Sequence, residues 1–328
     1  MKPERTPKLE PITLSRKCNQ NCLFCAAYGG MPPHTEAEIA GIISRRSSHV
    51  IIGGWEPTMD ARLERTVRRV RSSGTRNIAL FTNAVRLSDP GYADRLIEAG
   101  VTLFNINFPA HTRELSDRLT QCPGAFEKRV SAIKHLLTRP DCTAVSLCFV
   151  VNTLNYKVLP AYAKFVSDNF NGVEHVALNM VCVSGRAQLN AALIPELKKI
   201  EPYLKAAAGT FMKRRVRCVI DNVPLCRMRG FEYASNTARQ AVMDGARVNP
   251  GDKDCLYTER CGECTLKQLC AGMRRDYYDL KSAAELLRSR KSPGAIAEAI
   301  RSEKYDKNEE RRTGPYGKGR ERGGASQL

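Results

Sequence analysis

Short apolar runs alternate with amphipathic stretches along residues 9–210 of the chain. Several runs are almost continuously apolar, which is typical of parallel strands covered on both faces. The predicted strands are Pro11–Ser15, Val50–Gly53, Asn77–Thr82, Thr102–Asn107, Val145–Val151 and His175–Cys182. The predicted helices are Glu36–Arg46, Ala61–Ser72, Gly91–Ala99, Ala125–Leu137, Ala161–Asn169 and Pro195–Ala208. Six β/α units predict an α/β fold with a parallel sheet and right-handed crossovers, short of the eight units of a closed barrel.

The pattern changes after residue 210. Arg215–Ile220 is predicted to be one more strand, and a segment with few apolar runs follows, from Cys226 to Cys270. A region that is poor in core residues but rich in cysteine is usually held together by metal. A helix is predicted over Tyr277–Arg290, with a weaker one over Pro293–Arg301.

These changes divide the chain into three predicted parts. They are a barrel domain at residues 1–210, a cysteine-rich domain at 211–290, and a basic tail at 291–328 that is polar enough to be disordered from about Lys304. The hydrophobic fraction of 42% is normal for a folded globule. No run approaches the roughly 20 apolar residues of a membrane span, and the N-terminus lacks the apolar core of a signal peptide. We therefore expect a cytoplasmic protein without a membrane partner.

The net charge of +18 is large. It suggests an acidic partner such as RNA, DNA or a phosphorylated substrate. However, the basic residues are spread along the chain, no nucleic-acid module signature is present, and aromatic residues make up only 7% of the chain. We therefore rank a basic proteome or a basic tail ahead of a nucleic-acid site as the origin of the charge.

Three of the 13 cysteines lie directly after the first predicted strand. Cys18, Cys22 and Cys25 have the spacing C-x₃-C-x₂-C. Without an export signal, an odd and large number of cysteines favours metal ligation over disulfides. Three thiolates on one loop can hold three irons of a [4Fe–4S] cluster and leave the fourth iron open, whereas a ferredoxin uses four cysteines per cluster. A zinc site would need a fourth nearby ligand, and His34 is a poor match for it.

This loop resembles the cluster loop of the radical S-adenosylmethionine (SAM) enzymes. The resemblance implies a partial six-unit barrel, open on one side, in which the open iron chelates the amino and carboxyl groups of SAM. It also implies that one electron, from a reductant such as flavodoxin or ferredoxin, breaks a carbon–sulfur bond and releases a 5′-deoxyadenosyl radical. The protein's part would be to hold the cofactors and to tune the cluster potential.

The resemblance further implies a SAM site at the C-terminal ends of the strands, where β/α barrels place their sites. The segment from Gly53 to Pro57 is similar to the family's Gly-Gly-Glu-Pro motif, but Trp55 departs from it. This departure leaves open whether Gly53 or Gly54 carries the role. Arg118 matches an arginine that can hold the SAM carboxylate, and a surface salt bridge is its equal alternative. The other predicted cofactor residues are Phe24, Glu56, Asn83, Asn107, Asn152 and Arg186.

A second cysteine group lies near the C-terminus. Its core, Cys261-Gly-Glu-Cys264 followed by Cys270, is similar to the auxiliary-cluster extension of radical SAM maturases. We predict a second [4Fe–4S] cluster on Cys226, Cys261, Cys264 and Cys270, with Cys255 as the spare cysteine. A zinc site with four cysteines is the alternative, because C-x₂-C also begins zinc ribbons.

These patterns predict a radical SAM enzyme of the oxidoreductase or maturase kind. Auxiliary-cluster members often modify ribosomally made peptides, so a peptide or protein is the first expected substrate. RNA or a phosphorylated metabolite is the second, supported only by the charge. An iron–sulfur protein that carries electrons or binds nucleic acid without radical chemistry is the third interpretation. The near Gly-Gly-Glu-Pro motif argues against the third, because an electron carrier needs no SAM site.

Overall fold

A parallel sheet of seven strands forms the centre of the molecule. The computed structural model describes residues 11–45, 47–139, 143–243, 245, 248 and 254–303. The strands are β1 Ile12–Thr13, β2 His49–Gly53, β3 Asn77–Thr82, β4 Leu103–Asn107, β5 Ala144–Val151, β6 His175–Met180 and β7 Cys218–Asp221. Each strand pairs in parallel with the next one along the chain. In the described sheet β1 and β7 each pair with one neighbour only, so the sheet stays open, as a partial barrel does.

Helices connect the successive strands. They are α1 Glu36–Ser44, α2 Leu63–Ser72, α3 Pro90–Ala99, α4 Arg113–Thr120, α5 Ala125–Leu137, α6 Leu159–Asn169, α7 Arg186–Leu189 and α8 Leu197–Lys213. Local signals fix several of the starts. Thr35 and Glu38 form a capping box before α1, and the Asp89 carboxylate accepts the Gly91 N–H at the start of α3. In the described ranges no helix is long and apolar enough to cross a bilayer.

The two faces of the sheet differ in chemistry. On β5, Leu147 and Phe149 are fully buried in the hydrophobic core, whereas Ser146 and Cys148 point to the opposite face because side chains alternate along a strand. Side chains of neighbouring strands that are paired in register lie on the same face of the sheet. Asn107 pairs with Cys148, and Asn179 pairs with Asp221, so polar residues continue across this face. We call this side the polar face; it bears Phe81, Asn105, Asn107, Ser146, Cys148, Asn179 and Asp221.

The sheet has one strand more than the six units expected. Strand β7 pairs with β6 through the register Val176 to Cys218. The run predicted as an additional strand beyond residue 210 therefore extends the barrel sheet. The change of composition after residue 210 suggests that the barrel ends there, so β7 is missing from the predicted barrel strands. The structure shows that β7 has the same buried apolar character as its neighbours.

The C-terminal region contains short elements. They are α9 Asn236–Met243, an antiparallel pair of β8 Cys255–Leu256 and β9 Met273–Arg274, α10 Arg275–Lys281 and α11 Pro293–Ser302. The weaker predicted helix is confirmed as α11. The prediction of one helix over Tyr277–Arg290 is wrong beyond Lys281, because Ser282 adopts a φ of 60° and ends α10. The predicted tail from Lys304 lies outside the described residues.

Buried polar contacts join this region to the barrel. The Glu285 carboxylate accepts the backbone N–H groups of Leu197 and Lys198 at the start of α8, both at 3.1 Å. It also accepts the Tyr277 hydroxyl. A carboxylate at this position satisfies free N–H groups and complements the helix dipole. The C-terminal segment therefore supplies the cap that α8 lacks locally.

Candidate functional site

The loop that carries Cys18, Cys22 and Cys25 follows β1 at the C-terminal edge of the sheet. Its backbone is fixed to the end of α4, because the Asn21 N–H donates to Thr120 O at 3.0 Å and the Leu23 N–H donates to Leu119 O at 2.9 Å. On the other side, the Arg186 N–H donates to Cys25 O at 3.0 Å. Support from two elements gives the loop one conformation.

Gly185 allows the close approach of α7 to this loop. Its φ is 56°, and an added Cβ would lie 2.2 Å from the carbonyl oxygen of Cys25. No side chain fits at that distance, and a positive φ disfavours non-glycine residues. The sequence Ser184-Gly185-Arg186 thus has a steric reason to place glycine beside the cysteines.

The chemistry of the donor set fits an iron–sulfur cluster. Cys18, Cys22 and Cys25 are all thiols outside any disulfide. Burial raises the pKa of Cys18 to about 11 and that of Cys22 to about 12, and the neighbouring thiols add to both shifts. Among the described residues no three His, Cys, Asp or Glu side chains converge on a single ion. A cluster differs from a single ion because each thiolate binds its own iron, so neighbouring free thiols on one loop suit it.

Glu56 and Asn83 connect two strand ends to the cysteine loop. The buried Glu56 carboxylate accepts the Thr58 N–H, the Thr58 and Thr82 hydroxyls, and the Asn83 N–H, at 2.6 to 3.1 Å. Burial raises the pKa of Glu56, and these donors oppose the shift. The Asn83 side chain in turn donates to Asn19 Oδ1 at 2.7 Å. Both Glu56 oxygens are occupied within the protein, and direct contact of Glu56 with SAM stays a prediction.

The two glycines after β2 differ in how strictly they are required. Gly54 has a φ of 102°, and an added Cβ would meet the Thr13 side chain at 2.8 Å. Gly53 ends β2, and its Cβ would meet Phe81 at 3.2 Å. Neither glycine leaves room for an unstrained side chain, because the Phe81 and Thr13 side chains pack against them. Contact of either glycine with SAM stays a prediction. Phe24 is buried among core residues.

Arg186 covers the cysteine loop together with two aromatic rings. Its guanidinium donates to Asn21 O at 3.3 Å and lies 4.4 Å from the centre of the Tyr28 ring. Tyr28 in turn lies 6.4 Å from Trp55, between ring centres. Arg186 Nε and Trp55 Nε1 are buried and have no hydrogen-bond partner in the described structure. Such orphan donors are rare, and a ligand rich in acceptors, such as a nucleoside, would satisfy them.

The remaining predicted cofactor residues, Arg118, Asn107 and Asn152, lie in three different environments. Arg118 is exposed on α4, and among the described residues it forms no ion pair, so the salt-bridge alternative has no partner there. Asn107 lies on the polar face, and its Oδ1 is buried without a partner among the described residues. Asn152 is buried in the turn after β5, where its side chain accepts the Leu154 N–H and donates to Val150 O. Its role in binding SAM stays a prediction.

Sequence reasoning missed Arg129. This α5 side chain is fully buried and donates to Asn83 O at 3.1 Å and to Ser116 Oγ at 2.8 Å. A signal was present, because Arg129 stands four residues from both Ala125 and Ile133, on the apolar stripe of the helix. A charged residue on such a stripe is unusual and marks a buried polar contact.

The second cysteine group joins the barrel to the C-terminal region. Cys226 follows β7, whereas Cys261, Cys264 and Cys270 lie in the turns between β8 and β9. Backbone N–H groups point at two of the sulfurs, from Leu287 to Cys226 at 3.5 Å and from Gly272 to Cys270 at 3.4 Å. Hydrogen bonds to sulfur are a means of tuning iron–sulfur clusters.

Cys255 lies on β8 with Arg274 as its register partner. Cys226 and Cys270 both interact electrostatically with Cys261, and Cys226 also does so with Cys264. Tyr257 is influenced by Cys255 together with Cys261, Cys264 and Cys270. The predicted ligand set of Cys226, Cys261, Cys264 and Cys270, with Cys255 as the spare, stays a prediction, and so does its metal.

Comparison with known proteins adds the family to this geometry. Residues 12–166, from β1 into α6, match the radical SAM superfamily. The match covers just under half of the chain and identifies a radical SAM domain in it. The domain's resident cofactors are accordingly a [4Fe–4S] cluster and SAM, and the loop of Cys18, Cys22 and Cys25 is where the donor set fits that cluster.

Curated relatives of this radical SAM protein include two archaeal proteins described as probable GTP 3′,8-cyclases. The one from Metallosphaera sedula is 33% identical over 125 residues, which cover 34% of this chain and 38% of that protein. The one from Saccharolobus islandicus (strain Y.N.15.51 / Yellowstone #2) is 28% identical over 214 residues, which cover 63% of this chain and 66% of that protein. The chain thus spans less than two thirds of the length of either relative.

A solved radical SAM structure shows the same fold. It is anSMEcpe with bound AdoMet and the Cp18Cys peptide, with a TM-score of 0.59 and 14% sequence identity. The match covers 89% of this chain and 96% of that one. The likeness therefore extends past residue 210 into the cysteine-rich region.

Proposed function

We propose that the protein is an enzyme that cleaves SAM reductively and abstracts a hydrogen atom from a phosphorylated small molecule, with a nucleoside triphosphate as the first candidate. The observation that supports the reaction is the cysteine loop of the radical SAM domain, fixed beside the free donors of Arg186 and Trp55. Held by Cys18, Cys22 and Cys25, the cluster would supply the electron that cleaves SAM, and SAM would supply the hydrogen-abstracting group.

The chain's own residues hold and orient these groups. Cys18, Cys22 and Cys25 would ligate three irons, while α4 and α7 keep their loop in place. Gly53 and Gly54 let the Phe81 and Thr13 side chains pack against the strand end, and their contact with SAM is part of the proposal. Arg186 and Trp55 would donate to acceptor atoms of SAM, since both have a free N–H there. Asn83 links this site to the adjacent strand end.

The polar face of the sheet is the proposed substrate surface. Asn179 donates from Nδ2 to Cys148 Sγ at 3.3 Å, while its Oδ1 has no partner in the described structure. Asp221, beside it in register, accepts from Asn236 Nδ2 at 3.2 Å. These acceptors suit a substrate that carries N–H donors, such as a nucleobase.

The substrate class is supported by the relatives and by charge. The relatives' names refer to a nucleotide, and the net charge of +18 suits an anionic compound. Both favour the phosphorylated-metabolite alternative over the peptide expected first. The family match argues against an electron carrier without radical chemistry. A flavodoxin or ferredoxin reductant stays a prediction.

Anaerobic reconstitution tests the proposal. The protein is loaded with iron and sulfide and given SAM and dithionite, and 5′-deoxyadenosine is measured with GTP, with ATP, with a peptide pool and with no addition. We expect 5′-deoxyadenosine in every sample and the largest amount with a nucleoside triphosphate. Cys22→Ala is the matched control and should form none.

Two other outcomes are possible, and each would contradict one part of the proposal. If 5′-deoxyadenosine forms but no nucleotide increases it, the substrate class is wrong and the radical SAM reaction stands. If the loaded protein forms none with any addition, SAM cleavage is wrong and the electron-carrier interpretation returns.

A further inference from the structure

Arg129 lies beneath the cysteine loop. Its Nε donates to the carbonyl of Asn83, the residue whose side chain contacts the loop at Asn19. Its Nη1 donates to Ser116 in α4, the helix whose last residues hold the loop backbone. Both contacts place the guanidinium between β3, α4 and the cysteines. Its position is therefore set by the elements that position the loop.

Among the described residues Arg129 forms no ion pair. The side chain is fully buried, its two described acceptors are neutral, and its Nη2 has no partner at all in the described structure. Two carboxylates act on it from a distance, Asp117 and Glu56. Asp117 accepts the Gly124 N–H through Oδ2, whereas its Oδ1 is buried with no partner among the described residues. Glu56 already accepts four donors.

A buried and unpaired charge is costly, so an anionic group is expected beside it in the working protein. The cysteine loop is the neighbouring site where such a group could lie. Asn83, whose carbonyl accepts from Arg129, has its Nδ2 3.9 Å from Cys18 Sγ and donates to Asn19. An electrostatic interaction between Arg129 and Cys22 agrees with this placement.

We propose that Arg129 is the internal counter-charge of the [4Fe–4S] cluster held by Cys18, Cys22 and Cys25. A cluster with three thiolate ligands is anionic, and reduction adds one more negative charge. A fixed buried cation stabilises the reduced form more than the oxidised form. Arg129 therefore raises the reduction potential and acts as a positioning and tuning residue, without contact to SAM or substrate. The inference rests on the proposed N-terminal cluster.

The test is the reduction potential of the N-terminal cluster, measured in a Cys264→Ala background so that the second site does not contribute. Arg129→Met removes the charge and keeps much of the volume, and Arg129→Lys keeps the charge. We expect the Met variant to bind the cluster and to be at least tenfold harder to reduce, a shift of about 59 mV for one electron. The exposed Arg76→Met, at the opposite end of β3, is the matched control and should leave the potential unchanged.

A second readout separates charge from structure. In Arg129→Lys the buried ammonium should lose its proton as pH rises from about 7 to 10, so the potential should fall with pH. The wild-type guanidinium keeps its proton over that range, and its potential should fall less. The comparison of wild-type and Arg129→Lys potentials therefore tests the counter-charge proposal even if Arg129→Met does not fold.

The possible failures are distinct. If no cluster assembles in the wild type, the proposed function fails first. If the cluster assembles and the Met variant keeps the wild-type potential, the counter-charge proposal alone is overturned. Equal pH dependence of the wild-type and Lys potentials would overturn it as well.

Discussion

Gly185 shows how much a single backbone position contributes to the cysteine loop. We expect Gly185→Ala to displace the loop, because the added methyl group would collide with the Cys25 carbonyl at 2.2 Å. Gly74→Ala is the matched control, since Gly74 also has a positive φ, of 94°, but nothing lies within 4 Å of its Cβ. The control should lose about 1 kcal/mol of stability from strain alone.

Iron content after reconstitution and the free energy of unfolding measure the difference. Gly185→Ala should retain less iron than Gly74→Ala at equal folded fraction. Equal iron in the two variants would mean that α7 can move away from the loop without consequence.

Asp221 is the residue on which the proposed substrate surface depends most. Its carboxylate is oriented by Asn236, and burial raises its pKa. Asp221→Asn keeps the shape and removes the charge, so an N–H donor of the substrate would lose a charge-assisted hydrogen bond. We expect the concentration of nucleotide that gives half-maximal 5′-deoxyadenosine formation to rise about tenfold or more. Asp279→Asn, exposed on α10, should leave it unchanged, and equal values for the two variants would remove Asp221 from the site.

The roles of some residues can be predicted from the sequence, and those of others cannot. Cys18, Cys22 and Cys25 can be found from spacing alone, since ligands on one loop are close in sequence as well as in space. Arg129 cannot, because its role depends on Asn83 and Ser116, which come from other elements. The hydrogen bonds of Asn152 within its own turn cannot be predicted from the sequence either. An asparagine after a strand can stabilise a turn or bind a ligand, and the sequence does not distinguish the two.

At the scale of elements, the start of α8 depends on a residue far away in the chain. Glu285 accepts the Leu197 and Lys198 N–H groups and the Tyr277 hydroxyl. We expect Glu285→Gln to lower the free energy of unfolding by about 1–2 kcal/mol, because the amide would face an N–H group and the charge at the helix start would be lost.

Denaturant unfolding at one fixed metal content measures this loss. Glu298→Gln, on the exposed side of α11, is the matched control and should change stability by less than about 0.5 kcal/mol. If both variants unfold alike, the cap contributes little, and the C-terminal region is held to the barrel by its apolar contacts and the second metal site.

Element boundaries were predictable where local signals decide them. The strands and most helices of the barrel follow from apolar runs and from caps such as Asp89. The end of α10 did not follow, because a left-handed serine, Ser282, stops the helix while the sequence remains helix-like. Strand β7 was found as a strand, but its place in the sheet depends on pairing with β6, which a composition boundary at residue 210 does not reveal.

At the scale of the whole molecule, the sequence shows which part of the chain carries the positive net charge. Residues 304–328 contain seven basic and four acidic side chains, so most of the net charge of +18 lies in the remaining chain. The tail alone therefore does not explain the charge. The structure adds that many basic residues of α2 pair with acids, such as Arg69 with Glu36 at 2.7 Å and Arg68 with Glu64 at 2.9 Å. Surface pairs of this kind add little stability.

The two cysteine groups give the molecule two metal sites that should be separable. Cys22 lies in the loop held by α4 and α7, whereas Cys264 lies between β8 and β9. If each group holds one [4Fe–4S] cluster, Cys22→Ala and Cys264→Ala should each halve the iron and sulfide per chain. Only Cys22→Ala should abolish 5′-deoxyadenosine formation.

Metal analysis of the two variants decides between the interpretations of the second site. Wild-type iron that is unchanged in Cys264→Ala, with zinc lost instead, would identify the second group as a zinc site. Loss of all iron in Cys264→Ala would contradict separate sites. That result would show that the second group stabilises the sheet on which the first depends, because Cys226 lies on the segment that follows β7 and would transmit its loss to the sheet.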